Sequence, residues 1–182
     1  WTIIKFYPDE NIFKITTKFD YETIKNRLRQ QAYLTKWITI ILVDERSWER
    51  YKYYFEWWIK SYVNFLNKTE NTLWDIFYVE KESKDIMVEI SLQYNTDYSD
   101  NIISFVNNIH TPGGWTHLTW FRMALTRTIN KYARDKWLLK EKDQNLTNDD
   151  VIEWITAVIS VKVVDPQFEW QTKDKLWTSE AR

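Results

Sequence analysis

Residues 86–94 read Ile-Met-Val-Glu-Ile-Ser-Leu-Gln-Tyr, and the apolar side chains of Ile86, Val88 and Ile90 recur at every second position. The positions between them are mostly polar. Because successive side chains of a β-strand point to opposite faces, this alternation predicts a strand with one buried face and one polar face. It is the clearest secondary-structure pattern in the chain.

Further strands are predicted on both sides of this one. Residues 157–164 are almost continuously apolar, and residues 102–109 form another β-rich stretch. Residues 38–43 and 51–55 flank a polar segment, which is typical of a hairpin, although Trp48 is unfavourable in its turn.

Two short strands are also predicted near the beginning of the chain. Residues 2–7 and 11–16 are β-rich, and Pro8-Asp9-Glu10 between them has the composition of a turn. The strands therefore fall into two regions, one before and one after the middle of the chain.

Three helices are predicted from apolar residues that recur with the helical period of 3.6 residues. The first begins after Asp20, a favourable N-cap, and the third runs from Thr116 to about residue 136. Helices and strands alternate irregularly, and no repeat or linker divides the chain, so we predict one α/β domain over residues 1–182. The apolar positions are Tyr21, Ile24, Leu28 and Ala32 in the first helix, Ile59, Tyr62, Val63 and Leu66 in the second, and Leu118, Phe121, Leu125, Ile129 and Tyr132 in the third.

The composition excludes several classes of protein. Of the 182 residues 44% are hydrophobic, which allows a sizeable core and excludes a wholly disordered chain. Without cysteine there is no disulfide framework, thiolate zinc site or cysteine nucleophile, and we expect a cytoplasmic location. The longest apolar run, residues 37–43, is far below the ~20 residues that span a bilayer, so no membrane partner is expected. Since 25 Lys and Arg face 26 Asp and Glu, a polyanion would have to bind a local basic patch.

Glycine and tryptophan depart from average usage in opposite directions. The chain has 2 glycines and 12 tryptophans, whereas average usage would give about 13 glycines and only a few tryptophans. The deficit and the excess are similar in size. We therefore expect tryptophan at positions where glycine would be usual.

The two histidines do not predict a metal or catalytic site. His110 and His117 lie seven residues apart, without the HExxH spacing of a zinc site and without an acidic pair beside them. No convincing serine nucleophile stands next to either, so a hydrolase triad is not indicated. We interpret His110 as the end of a strand and His117 as part of the first turn of a helix.

The third predicted helix and the residues after it carry a local basic patch. Residues 116–140 contain six cations and one anion, a net charge of +5. Arg127, Lys131 and Arg134 lie opposite the apolar face, where a solvated charged face is the simplest interpretation and a polyanion-binding surface is the alternative. Arg122 lies near the edge of the apolar stripe, where a guanidinium is usually held by a carboxylate or a phosphate.

The polar segment at 167–176 follows a predicted buried strand and is interpreted as an exposed loop. In this segment Gln171 and Lys173 stand two residues apart, and a lysine beside an amide can bind a terminal phosphate through its charge and hydrogen bonds. The spacing alone favours an ordinary surface loop.

Short motifs occur in order along nearly the whole chain and end with a distinctive Gln-Thr-Lys segment. They include Thr2-Ile3-Ile4, Val43-Asp44-Glu45-Arg46, Ser104-Phe105-Val106-Asn107-Asn108-Ile109, Thr116-His117-Leu118, Phe121-Arg122 and Gln171-Thr172-Lys173. Together these motifs closely resemble the transducer domain of bacterial-type DNA gyrase B.

The resemblance implies an α/β fold of the ribosomal protein S5 domain 2-like type, a mixed sheet backed by helices with a left-handed βαβ crossover. In the family this domain lies between a GHKL-type ATP-binding domain and the metal-binding TOPRIM domain of a type IIA topoisomerase. This chain contains neither, so we expect it to be inactive alone, and ATP and Mg²⁺ would be bound mainly by those domains. The resemblance also implies that Gln171 and Lys173 contact the γ-phosphate of ATP.

The implied partners are DNA, a second B subunit in an ATP-dependent dimer, and the gyrase A subunit. Arg122 would line the cavity through which DNA passes, and Arg127, Lys131 and Arg134 are further candidate DNA contacts. Two alternatives stay open: a nucleic-acid-binding module without ATP linkage, which would use the same basic stripe beside exposed aromatic residues, and a purely structural interaction domain. These residues do not separate gyrase from topoisomerase IV.

The chain departs from the family pattern where tryptophan stands at glycine positions. An L-residue held at positive φ costs about 1–2 kcal/mol, so we expect backbone strain at turns and helix ends among these positions. Trp170 precedes Gln171 directly and would restrict the motion of the loop. The tryptophans concerned are Trp1, Trp37, Trp48, Trp57, Trp58, Trp115, Trp120, Trp137, Trp154, Trp170 and Trp177.

Overall fold

The computed structural model describes residues 1–83, 86–96, 100–113 and 116–166. Within these ranges the chain forms four helices and seven strands. In chain order they are α1 (Tyr21–Leu34), β1 (Ile40–Asp44), β2 (Glu49–Tyr53), α2 (Trp58–Leu66), β3 (Phe77–Ser83), β4 (Ile86–Tyr94), β5 (Asn101–Val106), β6 (Ile109–His110), α3 (Thr116–Asp135), α4 (Asn148–Ile152) and β7 (Ile155–Val163).

A five-stranded mixed sheet forms the centre of the fold, with the strands in the order β3-β4-β7-β5-β6. The middle strand, β7, runs antiparallel to β4 and parallel to β5, and Ile159 lies opposite Ile90 on one side and Ser104 on the other. Eight of the nine residues of β7 are buried, which explains why its sequence is almost continuously apolar. The chain passes from β5 to β7 through α3 and α4. The predicted mixed sheet backed by helices is confirmed.

Helices cover both faces of this sheet, and the alternation in β4 matches the two layers. The apolar set of β4 packs with α3 and α4 around Phe121 and Ile152. The polar set faces the side of α1 and α2, where Glu89 and Gln93 are buried instead of solvated. Gln93 accepts a hydrogen bond of 2.8 Å from Asn67 at the end of α2. Hydrogen-bonding partners of this kind allow polar side chains to lie inside the fold.

The helix starts are set by capping side chains. The Asp20 carboxylate accepts a 2.8 Å hydrogen bond from the Thr23 amide and begins α1, as predicted. The short helix α4 was not predicted, although Thr147 and Asp150 form a reciprocal capping box at its start. The edge strand β3 was also missed by the sequence analysis.

The prediction of strands at 2–7 and 11–16 is wrong. The chain before α1 has no regular strand; instead the Phe13 and Ile12 amides both donate to the carbonyl of Asp9, at 2.8 and 3.0 Å. A β-rich segment becomes a strand only when another strand satisfies its backbone groups, and no described strand pairs with this one. Its apolar side chains stay in solvent, with Ile15 fully exposed.

The strand predicted at 102–109 is interrupted, and the predicted hairpin is confirmed. Asn107 and Asn108 adopt positive φ angles of 47° and 64°, so the chain turns between β5 and β6. The hairpin consists of β1 and β2, and its turn is closed by a 2.7 Å bond from the Trp48 amide to the Asp44 carbonyl.

Five of the nine tryptophans that the structure describes have the left-handed backbone conformation that glycine favours. Trp137 illustrates the cause, because its amide bonds to the Arg134 carbonyl at 2.9 Å while the Leu138 amide bonds to the Ala133 carbonyl at 2.7 Å. This pair of bonds is the Schellman helix ending, whose left-handed position is normally occupied by glycine. The five tryptophans are Trp37 (φ 62°), Trp48 (φ 60°), Trp58 (φ 40°), Trp137 (φ 60°) and Trp154 (φ 67°).

Candidate nucleic-acid interface

The long helix α3 presents its basic face outward because its apolar face is held against the sheet. Leu118, Phe121 and Leu125 pack on the core beneath the helix, as the helical period predicted. Tyr132, which was assigned to the same face, is instead exposed, whereas the next residue, Ala133, is buried.

Arg127 and Lys131 are the accessible cations of this helix. Both are exposed, and neither forms an ion pair with any residue in the described ranges. They stand one helical turn apart, so their charges lie on the same face. The predicted outward position is confirmed for these two residues, and the pair could meet successive phosphates of a polyanion.

Arg134 differs from these two because its guanidinium holds the loop that follows α3. Its NH1 and NH2 groups donate to the carbonyls of Lys140 and Asp143, each at 2.9 Å. Its Nε and NH2 groups also donate to the Asn145 side chain at 3.1 and 2.6 Å. These bonds occupy most of its donors. A DNA contact by Arg134 stays a prediction, but the structure shows that its guanidinium already anchors the loop.

Arg122 lies at a cleft that is acidic. Its NH2 group forms an ion pair of 3.2 Å with Asp100, so the expected carboxylate partner is present. Asp149, Asp150 and Glu153 line the same cleft. With four carboxylates around one guanidinium the local charge is negative, which opposes the approach of a phosphate. The assignment of Arg122 as a DNA contact stays a prediction.

The environment of the histidines agrees with a structural interpretation. His117 is buried in the first turn of α3, with Nε2 3.3 Å from the Thr111 hydroxyl, and burial lowers its pKa to about 4. The Ser104 hydroxyl lies 3.0 Å from the same Thr111 oxygen and also donates to the Thr111 carbonyl. Sequence spacing had not indicated this cluster, because β5 and α3 bring its members together. His110 ends β6 as predicted, and burial, with a smaller effect of Arg27, lowers its pKa.

The remaining predictions concern metal binding, membrane-spanning helices and contact with a nucleotide. No group of three or more acidic or histidine side chains that could hold a metal ion occurs in the part of the chain that the structure describes. Among the same residues, no helix has the length and apolar character needed to cross a membrane. Gln171 and Lys173, predicted to contact ATP, lie outside the described residues.

Comparison with known proteins adds to this geometry. The family model described as DNA gyrase B matches residues 59–182. The chain is 49% identical over 183 aligned positions to the DNA gyrase B subunit of Halalkalibacterium halodurans, a match that covers all of this chain and 29% of that protein. The chain thus spans under a third of the length of this curated relative.

Two solved structures share the fold. The 43K ATPase domain of Thermus thermophilus gyrase B, solved with an aminocoumarin, superposes with a TM-score of 0.83 at 33% identity. That match covers 96% of this chain and 47% of the other. The topoisomerase IV ATP-binding domain of Francisella tularensis, solved with a small-molecule inhibitor, gives a TM-score of 0.76 at 27% identity and covers 91% of this chain and 44% of the other.

Proposed function

The chain belongs to the DNA gyrase B family, and we propose that it is the transducer segment of an ATP-dependent type IIA DNA topoisomerase. In this role it relays the nucleotide state of a neighbouring ATP-binding domain to the passage of DNA. The observation that supports the proposal most strongly is the full-chain match to about half of an ATPase domain of gyrase B. In this proposal the other half of such a domain would supply the nucleotide pocket that this segment reads.

The nucleotide end of the relay is assigned to the segment after β7. Gln171 and Lys173 would bind the terminal phosphate of ATP, the lysine through its charge and the amide as a hydrogen-bond donor. ATP itself and Mg²⁺ would be held mainly by the domains on either side of this segment. The chain contributes the contact that distinguishes a triphosphate from a diphosphate.

The DNA end of the relay is assigned to the outer face of α3. Arg127 and Lys131 are exposed and unpaired within the described ranges, so a phosphate can reach them without displacing a carboxylate. Arg122 joins them only if its bond to Asp100 opens. The partners that follow from this role are DNA, a second gyrase B protomer and the gyrase A subunit.

A substitution at Lys173 tests the nucleotide contact. The protein used is a full-length gyrase B in which this chain replaces the corresponding segment, here called the chimaeric protein. Lys173→Gln should lower ATP turnover about tenfold without changing the melting temperature, because one charge-assisted contact to phosphate is lost. Lys175→Gln removes the same charge two residues away and serves as the control. Unchanged turnover in Lys173→Gln would remove the phosphate-contacting role.

A nucleic-acid-binding module without ATP linkage is the second candidate function. It is favoured by the exposure of Tyr132 and Trp120 on the helix that carries Arg127 and Lys131, since aromatic rings beside cations suit single-stranded nucleic acid. Binding of a fluorescent single-stranded oligonucleotide to the chimaeric protein distinguishes the two. The transducer role predicts that DNA binding responds to ATP, and the alternative predicts that it does not.

A further inference from the structure

The carboxylate of Glu89 lies inside the fold, on the face of the sheet that α1 and α2 cover. Glu89 is 2% exposed, and its Oε1 atom accepts a 3.0 Å hydrogen bond from the Tyr78 hydroxyl. Two ammonium groups approach this carboxylate: Lys36 Nζ lies 3.0 Å from Oε1, and Lys162 Nζ lies 3.8 Å from Oε2. A buried carboxylate that loses its last cation strongly destabilises a fold. Glu89 therefore needs at least one of the two lysines.

The two lysines come from different parts of the chain. Lys36 follows the end of α1, and its ammonium also bonds to Glu80 at 2.7 Å and lies 4.3 Å from the centre of the Trp58 ring. Lys162 belongs to β7 and is a diagonal neighbour of Glu89 on the same face of the sheet. Lys36 is thus the closer partner of Glu89, and Lys162 is a second cation within short reach.

The part of the chain that carries Lys36 is docked on the sheet through side chains. This part, residues 20–57, contains α1 and the hairpin of β1 and β2, and we call it the N-terminal unit. The hairpin forms a sheet of its own, and within the described ranges no backbone hydrogen bond joins the unit to the five-stranded sheet. The match to the family model begins at residue 59, just inside α2. Parts of a chain that are joined in this way can move relative to each other.

The polar contacts of the N-terminal unit with the sheet and its turns are gathered at the end of α1. Gln31 donates to the Asn108 carbonyl at 3.1 Å, and the Thr35 hydroxyl accepts from the side chain of the same asparagine at 3.2 Å. Lys36 forms its ion pairs one residue later. Only Lys36 carries a charge among these three residues of the unit, so its bond to Glu89 is the strongest directional contact at this point.

We propose that Lys36 and Glu89 form an ionic latch for the N-terminal unit, and that Lys162 neutralises Glu89 when the latch opens. In the closed form Lys36 bonds to Glu89, as in this structure. In the open form the unit pivots at the end of α1, Lys36 leaves with it, and the Lys162 ammonium closes the gap of 3.8 Å to hydrogen-bond distance.

The second cation matters because Glu89 stays covered in the open form. The helix α2 follows the N-terminal unit in the chain and packs on the same face of the sheet, against Val158 of β7. Since α2 remains in place, the carboxylate is still shielded from water and still needs a cation. The exchange of lysines lets the unit move without leaving an unpaired buried charge. This latch does not depend on the function proposed above.

A single introduced cysteine can report the opening, because the chain contains none. Ser160 lies opposite Glu89 in β7 and is 1% exposed, so a thiol in Ser160→Cys reacts with a labelling reagent only when this face of the sheet is uncovered. Ala157 is buried on the other face of the same strand, and Ala157→Cys therefore reports general unfolding. Each labelling rate is divided by the rate of the same variant in denaturing urea, which corrects for the reactivity of the thiol.

The two lysines should have opposite effects on labelling of Ser160→Cys. Lys36→Met should make it about tenfold faster, because the closed form loses a charge-assisted hydrogen bond. Lys162→Met should make it about threefold to tenfold slower, because the open form then holds an unpaired buried carboxylate. Labelling of Ala157→Cys should slow in neither variant, since each removes a cation from the folded chain. Lys81→Met removes an exposed lysine of β3 that forms no ion pair within the described ranges, and it should leave both rates unchanged.

A substitution of the carboxylate shows whether Lys162 acts through Glu89. In the Glu89→Gln background Lys162→Met should no longer slow the labelling of Ser160→Cys, because no buried charge is left to neutralise. Slower labelling that persists in this background would assign the effect to the charge of Lys162 beside the thiol, and it would overturn the exchange of lysines.

Three further results would also overturn the proposal. Unchanged labelling of Ser160→Cys in Lys36→Met would show that Lys36 does not hold the unit closed. Unchanged or faster labelling in Lys162→Met would show that Lys162 does not support the open form. Equal acceleration at Ser160→Cys and Ala157→Cys in Lys36→Met would show general unfolding instead of the release of one unit.

Discussion

The guanidinium of Arg122 is joined to the carboxylate of Asp100 across 3.2 Å in a cleft beside α3. Both side chains are partly exposed, so the pair contributes little to stability. If a DNA phosphate replaces Asp100 in the bound state, Arg122→Gln in the chimaeric protein should reduce the slope of log affinity against log salt by about 1. Asp100→Asn should raise DNA affinity at constant salt, because the guanidinium is released. Titrations at several salt concentrations measure both effects, and an unchanged slope in Arg122→Gln would identify a purely structural ion pair.

Substitution of the α3 cations should affect two different properties, DNA binding for Arg127 and Lys131 and stability for Arg134. Arg127→Gln and Lys131→Gln should each lower the salt slope by about 1 and change the free energy of unfolding by less than about 0.5 kcal/mol. Arg134→Gln should instead destabilise the chain by about 1–2 kcal/mol, since it removes the donors that hold the 140–145 loop. Denaturant unfolding and DNA titration of the same three variants supply the data. A stable Arg134→Gln variant with a reduced salt slope would return Arg134 to the DNA-contacting group.

Burial of His117 should make stability depend on pH. Its pKa is lowered from 6.5 to about 4 in the folded state, so below pH 6.5 the unfolded chain takes up a proton that the folded chain does not. Stability is therefore highest above pH 6.5 and falls as the pH drops toward about 4, by about 2 kcal/mol between pH 7 and pH 5. The difference in unfolding free energy between the parent and His117→Gln, followed over this range, isolates the effect from the carboxylates. A difference that does not vary with pH would contradict it.

Substitution by glycine of Trp120 inside α3 and of Trp137 just after it should change the free energy of unfolding in opposite directions. Trp137→Gly should stabilise the chain by about 1 kcal/mol, because Trp137, the second residue after α3, is held at φ 60°. Trp120→Gly lies inside α3, where glycine should cost about 1 kcal/mol through lost helix propensity, in addition to lost contacts of the indole. Thermal and denaturant unfolding of both variants check the signs. Two changes of the same sign would show that backbone conformation does not decide the effect of these tryptophans.

The sequence predicts some secondary-structure elements of this fold and misses others. Periodicity located α1, α2, α3, β4 and β7, because each buries a regular set of side chains whose spacing is visible in the chain. It failed at residues 2–16, where β-propensity meets no described partner strand, and at residues 102–109, where Asn107 and Asn108 turn the backbone. Burial of Glu89 and Gln93 was also not foreseen, since their partners come from other elements.

The candidate site was predictable in outline and not in detail. The exposed positions of Arg127 and Lys131 follow from the helical period alone. The pairing of Arg122 with Asp100 and the bonds of Arg134 to residues 140–145 depend on tertiary structure that no local pattern encodes. The hydrogen bonds between the Asn107 side chain and the Val163 backbone join residues 56 positions apart, and a single sequence carries no pairing signal over that distance.

Substitutions of Trp48 and Trp170 test whether the tryptophans lower ATP turnover locally, beside Gln171, or through the stability of the whole chain. Trp48 is 79% exposed at the hairpin turn with φ 60°, so Trp48→Gly should raise stability by about 1–2 kcal/mol and leave nucleotide chemistry unchanged. Trp170 lies outside the described residues, directly before Gln171. A glycine there would give the segment the backbone freedom to approach a nucleotide and withdraw, and it would remove an indole that favours burial against the domain. Trp170→Gly in the chimaeric protein should therefore increase ATP turnover more than Trp48→Gly does.

Turnover and melting temperature, measured for both single variants, separate the two effects. If Trp48→Gly restores turnover as fully as Trp170→Gly, the tryptophans act through overall instability and the segment before Gln171 has no special role.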